Sequence, residues 1–176
     1  MRRALLLLPL AAGCATPEIP PDLAAAPIER AWLEDYQWTA SGFIGGALTG
    51  HAWLYAVDTS GRMHTQYVQL RGGLVGFVFE LTGSGGRTVA LDLPPAPIFG
   101  ADLFERYEGS FEALVVGFGF ASLHLRNAPG VELDDQGGGY LIGLSVSYAE
   151  LRLIPAEPPP TPDTGDTGDT ADSGAG

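Results

Sequence analysis

Three histidines, His51, His64 and His124, are the side chains best suited to acid–base or metal work in this 176-residue chain. None stands in a His-x-x-x-His or His-Glu-x-x-His arrangement, the spacing that turns two imidazoles toward one zinc ion. Each is therefore expected at a surface or a strand edge. Glu132, Asp134 and Asp135 offer hard oxygen ligands of the kind calcium takes. Just before Gly137-Gly138-Gly139 they read instead as a solvated hairpin tip. Gly83-Ser84-Gly85-Gly86 is a turn, because no acid and histidine follow in the order a nucleophile elbow needs. Gly72-Gly73-Leu74-Val75-Gly76 lacks the Lys-Ser/Thr that completes a phosphate loop. The aromatics Trp53, Tyr55, Tyr67 and Tyr148, with Phe77, Phe79, Phe118 and Phe120, fall in strand-like runs. They are expected in the core, with an apolar pocket as the alternative. No spacing supports catalysis, and neither cofactor nor metal is expected.

The lone cysteine is different. Met1-Arg2-Arg3 is a basic start, Ala4 to Leu10 is a short apolar run, and Ala11-Ala12-Gly13 supplies small residues before Cys14. This is the layout of a secretory signal. The apolar run is well under the ~20 residues that a spanning helix needs. The placement of Cys14 resembles the lipobox of bacterial lipoproteins, although the leucine sits four residues before it, at Leu10, instead of three. The resemblance implies acylation of Cys14, an anchor in the membrane and, with Ala15 following, an outer-membrane address. A single cysteine also excludes an internal disulfide framework and a cysteine-based zinc site.

Nine basic residues, all arginine, stand against 21 acidic ones, for a net charge of −12. Nucleic acid is thereby excluded as a partner, since phosphate contacts need clustered positive charge. The expected division is a signal peptide over 1–13, a Pro/Ala-rich tether over 14–27, a folded domain over 28–154 and an acidic tail over 155–176. The tail repeats Asp-Thr-Gly from Asp163 and has no apolar side chain larger than alanine. It cannot offset the entropy of ordering and is expected to be disordered.

Within the middle, Ile28, Trp32, Leu33 and Tyr36 are spaced to share a helical face behind Pro27. Beyond them the pattern is β. Apolar runs at 43–49 and 51–57 are separated by Gly50, Met63 to Leu70 alternates, and Arg71-Gly72-Gly73 reads as a tight turn. Pro94 to Pro97 breaks the sheet, and Asp102 begins a short helix. The runs 111–125 and 138–154 pair a bulky row with a row of very small residues. Gly117, Gly119 and Ala121 form one such small row, and Gly143, Ser145, Ser147 and Ala149 the other. Small side chains permit sharp bending and close approach. The fold expected is all-β with one or two short helices: a small antiparallel β-barrel or strongly curled sheet.

The order of features from Tyr67 to Leu153 resembles the envelope integrity protein A family of small periplasmic barrels. It also shares the glycine-rich character of SYLF-type lipid-binding barrels. Gly73 to Phe77, Thr88 to Leu93, Leu103 to Ser110, Val115 to Phe120 and Gly143 to Tyr148 carry the likeness. It implies a non-catalytic structural role in the cell envelope, with the membrane as partner through the lipid anchor and a lipid or envelope protein as a further partner. The alternative is a barrel that binds a lipid or small apolar ligand.

Overall fold

Buried and exposed side chains alternate along most of this chain, and a period of two is the signature of strands. The computed structural model describes residues 18–42, 45–75, 78–82 and 87–160, and their side chains except at 42, 78–82, 87, 113–120 and 137–147. Its strands are β1 (Pro27–Gly42), β2 (Gly46–Asp58), β3 (Met63–Val75), β4 (Val78–Thr82), β5 (Arg87–Asp92), β6 (Ile98–Phe99), β7 (Tyr107–Asn127) and β8 (Glu132–Pro155). The helical pieces are one turn, α1 (Pro21–Ala24), and a 3-10 turn, Gly100–Phe104.

The helix expected behind Pro27 is a strand. β1 buries Ile28, Ala31, Leu33, Tyr36, Trp38 and Ala40. Its register slips between Ile28 and Arg30 and again between Glu34 and Gln37. At the second bulge Asp35 sits at φ 50, a left-handed conformation that a short polar side chain tolerates. Each bulge inserts one residue, so two of the buried spacings become three instead of two. A strand with spacings of two and three imitates the i, i+3 spacing of a helix.

β2 and β3 are continuous where breaks were expected. Gly50 lies inside β2, and Gly72 and Gly73 inside β3, with His51 paired to Gln69 and Leu48 to Gly72. Gly50 and Gly72 mark contacts between strand backbones. A Cβ on Gly50 would overlap the Gln37 carbonyl, and one on Gly72 the Glu150 carbonyl. The glycines therefore let these neighbouring backbones approach closely.

All strands pair antiparallel in one 8-stranded sheet, and it closes. β1 pairs β2 along one edge and β4, β5 and β6 along the other. β2 pairs β3, and β3 pairs the C-terminal part of β8, from Val68↔Pro155 to Val75↔Tyr148. The N-terminal part of β8 returns to β5 through Leu91↔Leu133 and Asp92↔Glu132. β7 accompanies β8 from Tyr107↔Leu151 to Arg126↔Glu132. This long hairpin doubles back, because a Cβ on Gly109 would overlap the carbonyl of His124 on the same strand. Its turn is Asn127 to Val131, not the acidic stretch expected there. Asn127 Oδ1 accepts from the backbone N–H groups of Gly130 (3.1 Å) and Val131 (2.8 Å), and Gly130 adopts φ 101. The Asn-Ala-Pro-Gly run is a turn signal with a mechanism, an Asx bond followed by a left-handed glycine.

The described interior positions are filled by side chains. Tyr36, Trp38, Tyr107, Phe111, Leu33 and Leu54 are all fully enclosed. The Trp38 and Phe111 rings meet edge to face with centroids 6.0 Å apart, a favourable arrangement of their quadrupoles. At the ends of the hairpin the small rows point inward, with Ala121 and Ala149 buried, while Tyr148 of the bulky row is 43 % exposed. In β2 the assignment reverses, with Leu48 buried and Ala47 and Thr49 exposed. Gly117, Gly119 and Gly143 lie outside the described side chains.

One end of the barrel is closed by chain that precedes Ile28. Leu23 of α1 and Leu103 of the 3-10 turn are buried together, and the Gly100 N–H donates to Ala26 O at 2.9 Å. Ile19 packs against the same core. The folded unit thus begins before the expected boundary at 28, and the described part of the 14–27 segment belongs to it. The helix expected to begin at Asp102 is instead the 3-10 turn Gly100–Phe104, in which Asp102 is the third residue and its Oδ2 accepts from the N–H of the capping Phe99 at 2.7 Å. At the other terminus, the Ala156 N–H donates to Tyr67 O at 3.0 Å. The Asp-Thr-Gly repeats and Cys14 lie outside the described residues.

Candidate functional site

The three histidines occupy three separate settings. His64 is buried on β3, with Nε2 3.0 Å from Asp58 Oδ2 and Nδ1 3.8 Å from Asp22 Oδ2. Asp58 organises the β2–β3 turn. Its Oδ1 accepts from the Ser60 hydroxyl (2.5 Å) and from the Ser60 and Arg62 N–H groups (2.8 and 3.0 Å). The Ser60 hydroxyl and His64 hold the Asp58 carboxyl well below the ordinary carboxylate range. Arg62 pairs with Asp22 at 2.8 Å, so this cluster fastens α1 to the barrel. Its serine faces an aspartate and not an imidazole, so it is no nucleophilic triad. His51 is on the outer face of β2, 6.1 Å from the Tyr67 ring. His124 is exposed on β7 and pairs with Asp134 at 2.9 Å.

The acidic stretch splits across β8 for the reason any strand splits its neighbours, alternation. Asp134 is exposed beside His124, and Glu132 reaches Arg126 at 3.4 Å. Asp135 points inward and accepts from Trp38 Nε1 at 2.8 Å. A calcium ion needs its oxygens to converge. Among the described residues, no three His, Cys, Asp or Glu side chains do so.

A cleft opens at this place. β5 and β8 pair through only two residue pairs and then diverge, leaving an open cavity of about 420 Å³ in the barrel wall. β5 contributes Thr88, Val89, Ala90 and Asp92 to it. His124 and the β8 residues Asp134, Asp135 and Gln136 form the opposite side. Asp92 thus stands on one wall and the Asp134–His124 pair on the other, with Asp135 turned inward to Trp38. A second depression of similar volume runs along Leu48, Gly50, Leu70 and Gly72; it is a dent left by missing side chains and holds no titratable group besides Arg71.

The aromatics are not where the sequence pattern suggested. Trp53, Tyr55 and Tyr67 line neither the core nor a pocket. They stand half-buried on the outer face of β2 and β3, and Tyr148 is exposed. The side chains of Phe77, Phe79, Phe118 and Phe120 lie outside the described set. Sequence reasoning missed the Asp22–His64–Asp58 cluster and the Trp38–Asp135 bond, whose partners are 97 positions apart. Such pairs leave no local signature. The Asp-Thr-Ser-Gly-Arg turn signal at 58–62 did announce part of the first.

Comparison with protein-family models, with curated proteins and with solved structures finds no match to this chain. What the structure shows is a small closed 8-stranded antiparallel barrel; the expected likeness to the envelope integrity and SYLF families has no support beyond the sequence motifs.

Proposed function

We propose that this chain is a non-catalytic β-barrel module that binds a small ligand in the cleft between β5 and β8. The observation that carries this reading is the parting of the wall beside Asp92, Asp134 and Asp135, in a barrel whose described interior is otherwise filled. A ligand site needs concavity and a few polar groups; the cleft is concave and carries Asp92 on one side and Asp134 with His124 on the other. Its acceptors favour a small polar ligand with positive charge or hydrogen-bond donors. A lipid or wholly apolar ligand would desolvate the Asp92 and Asp134 carboxylates in return for no new hydrogen bond. Amide NMR of the full chain titrated with putrescine and arginine tests the reading. Saturable shifts at Asp92, His124 and Asp134, lost in the Asp92→Asn, Asp134→Asn double variant, are expected. Shifts scattered over the barrel, or unaffected by the double variant, overturn it.

We also propose that the module is held at the outer membrane by acylation of Cys14 and serves the cell envelope there. The basic start, the apolar run and Ala11-Ala12-Gly13 before the only cysteine support this. A diacyl anchor suffices energetically, since each buried methylene contributes ~0.8 kcal/mol. Labelled palmitate should enter the wild type and not Cys14→Ser, and the variant should leave the membrane fraction. Absence of label in the wild type sinks this part alone.

A further inference from the structure

Five rings run across the outer faces of β1, β2 and β3. Trp32 of β1 is the register partner of Tyr55 of β2, and their rings stack with centroids 5.5 Å apart at 9°. Two residues back along β2, Trp53 is the partner of Tyr67 of β3, with rings 5.2 Å apart at 67°. His51 follows, 6.1 Å from Tyr67. All five side chains are half-buried and present part of their surface to solvent. Trp32 is turned by a bond from Nε1 to Glu34 Oε1 at 2.9 Å. Of the polar groups bordering the strip, Glu34 opposite Trp53 is charged and is engaged by Trp32, while Gln37 opposite His51, Gln69 on its other side and Thr65 opposite Tyr55 are uncharged.

From this arrangement we propose a second binding site, a platform for a neutral oligosaccharide across β1–β3. The ring types are Trp and Tyr, not aliphatic side chains, so the surface offers π faces to the C–H faces of pyranose rings. Amides and hydroxyls beside the rings suit sugar hydroxyls, which both donate and accept. The charge pattern selects against the other ligands that stack on aromatics. Single-stranded nucleic acid requires cations along the groove. Here the one described arginine bonded into the strip is Arg71, at its end, donating to Gln69 Oε1 at 3.0 Å, in a chain of net charge −12. An anionic lipid surface is disfavoured for the same reason. A quaternary ammonium needs rings boxed around it, whereas these lie in a row along one face. The site stands apart from the cleft between β5 and β8 and shares no residue with it.

The test uses the full chain with cellohexaose and hexa-N-acetylchitohexaose, followed by the indole N–H signals of Trp32 and Trp53 and by tryptophan fluorescence. Saturable shifts of both indoles with at least one sugar are expected, unaffected by the Asp92→Asn, Asp134→Asn pair. Trp53→Ala should weaken binding by about tenfold or more. If Trp53→Ala fails to fold, Trp53→Phe keeps a ring at the register position and should still bind several-fold more weakly. Three results overturn the proposal: neither sugar moves the indole signals, binding persists unchanged in Trp53→Phe and Tyr67→Ala, or the indoles are already covered by the chain's own termini. The rings would then be cross-strand supports of the sheet and nothing more.

Discussion

Gly72 and Gly73 are neighbours in one strand, yet alanine should act on them in opposite directions. A Cβ at Gly73 would meet ordinary contacts, Gly46 O at 3.6 Å and the Glu150 side chain at 3.8 Å. Alanine there gains only from restricting the unfolded chain, ~0.5–1 kcal/mol. A Cβ at Gly72 would overlap Glu150 O and lie 2.9 Å from Leu151 Cα, both backbone atoms of the paired strand. β3 would have to withdraw from β8, taking with it Leu70, Leu151 and Leu153, each 0–1 % exposed. Overpacking of this kind costs ~1–3 kcal/mol. Because the obstacle is backbone and not the free end of a side chain, the upper half of that range applies. Net of the entropic gain, Gly72→Ala should destabilise by about 2 kcal/mol and lower Tm by roughly 4–8 °C, given ~2–4 °C per kcal/mol for a chain of this size. Gly73→Ala should raise Tm by about 1–4 °C by the same conversion. Urea denaturation separates the two cleanly if m is unchanged, since a shift in midpoint is then a shift in stability. Equal changes in the two variants would refute the argument that close approach of backbones is what glycine serves in this barrel.

Leu23→Ala should cost ~2–5 kcal/mol by leaving a cavity under the end cap, and a chain begun at Ile28 should melt below the full-length protein by calorimetry. Trp38→Phe removes the donor at 2.8 Å from buried Asp135 and should destabilise by ~1–3 kcal/mol in the same assay. Burial pushes the Tyr107 phenol above its ordinary range, so the folded chain keeps that proton where the unfolded chain loses it. The stabilisation is full below about pH 10 and is lost as pH rises beyond it. The Tyr107 hydroxyl donates to Leu103 O at 3.0 Å, so Tyr107→Phe should flatten this alkaline loss at a cost of ~0.5–1.5 kcal/mol for the missing bond. The depressed Asp58 carboxyl has the opposite sign. Its stabilisation is present above about pH 4 and declines as pH falls, so Asp58→Asn should flatten the acid limb of a Tm–pH curve.

The fold class was legible because β alternation survives in β2, β3 and β5 and because punctuation residues stand between them. Legibility failed where the chain breaks its own period. The two bulges of β1 gave Ile28 to Tyr36 a helical spacing, and only pairing with β2 and β5 on both edges overrides it. Gly50 and Gly72-Gly73 carried turn chemistry yet sit in mid-strand, because a glycine needed for close approach and a glycine needed for a turn look the same in one dimension. The location of the aromatics was illegible for a related reason. Alternation says that Trp53 and Tyr55 share a face, and the β2–β3 register adds Tyr67 to it, but alternation does not say which face is inside. The answer came from the opposite parity, where Ala52, Leu54, Val68 and Leu70 are buried. The cleft was invisible altogether, since it depends on how far β5 and β8 stay paired.

That pairing ties the proposed site to the closure of the barrel. β1 meets β2 and β2 meets β3 along nearly their whole lengths, whereas β5 meets β8 only at Leu91↔Leu133 and Asp92↔Glu132. The ring is therefore weakest at the seam beside which the cleft opens, and local opening should begin there. A ligand that touches Asp92 on one side and Asp134 on the other binds only when the seam is shut. It raises stability by RT ln(1 + [L]/Kd), ~2.7 kcal/mol at a hundredfold excess over Kd. Its protection should concentrate at the Leu91 and Leu133 amides in hydrogen exchange. A sugar laid across Trp32, Trp53 and Tyr67 spans strands that are already continuously paired. It adds the same kind of linkage to global stability, but leaves sub-global opening of the seam as it was. Hydrogen exchange at two leucines thus distinguishes a ligand in the wall from a ligand on the face.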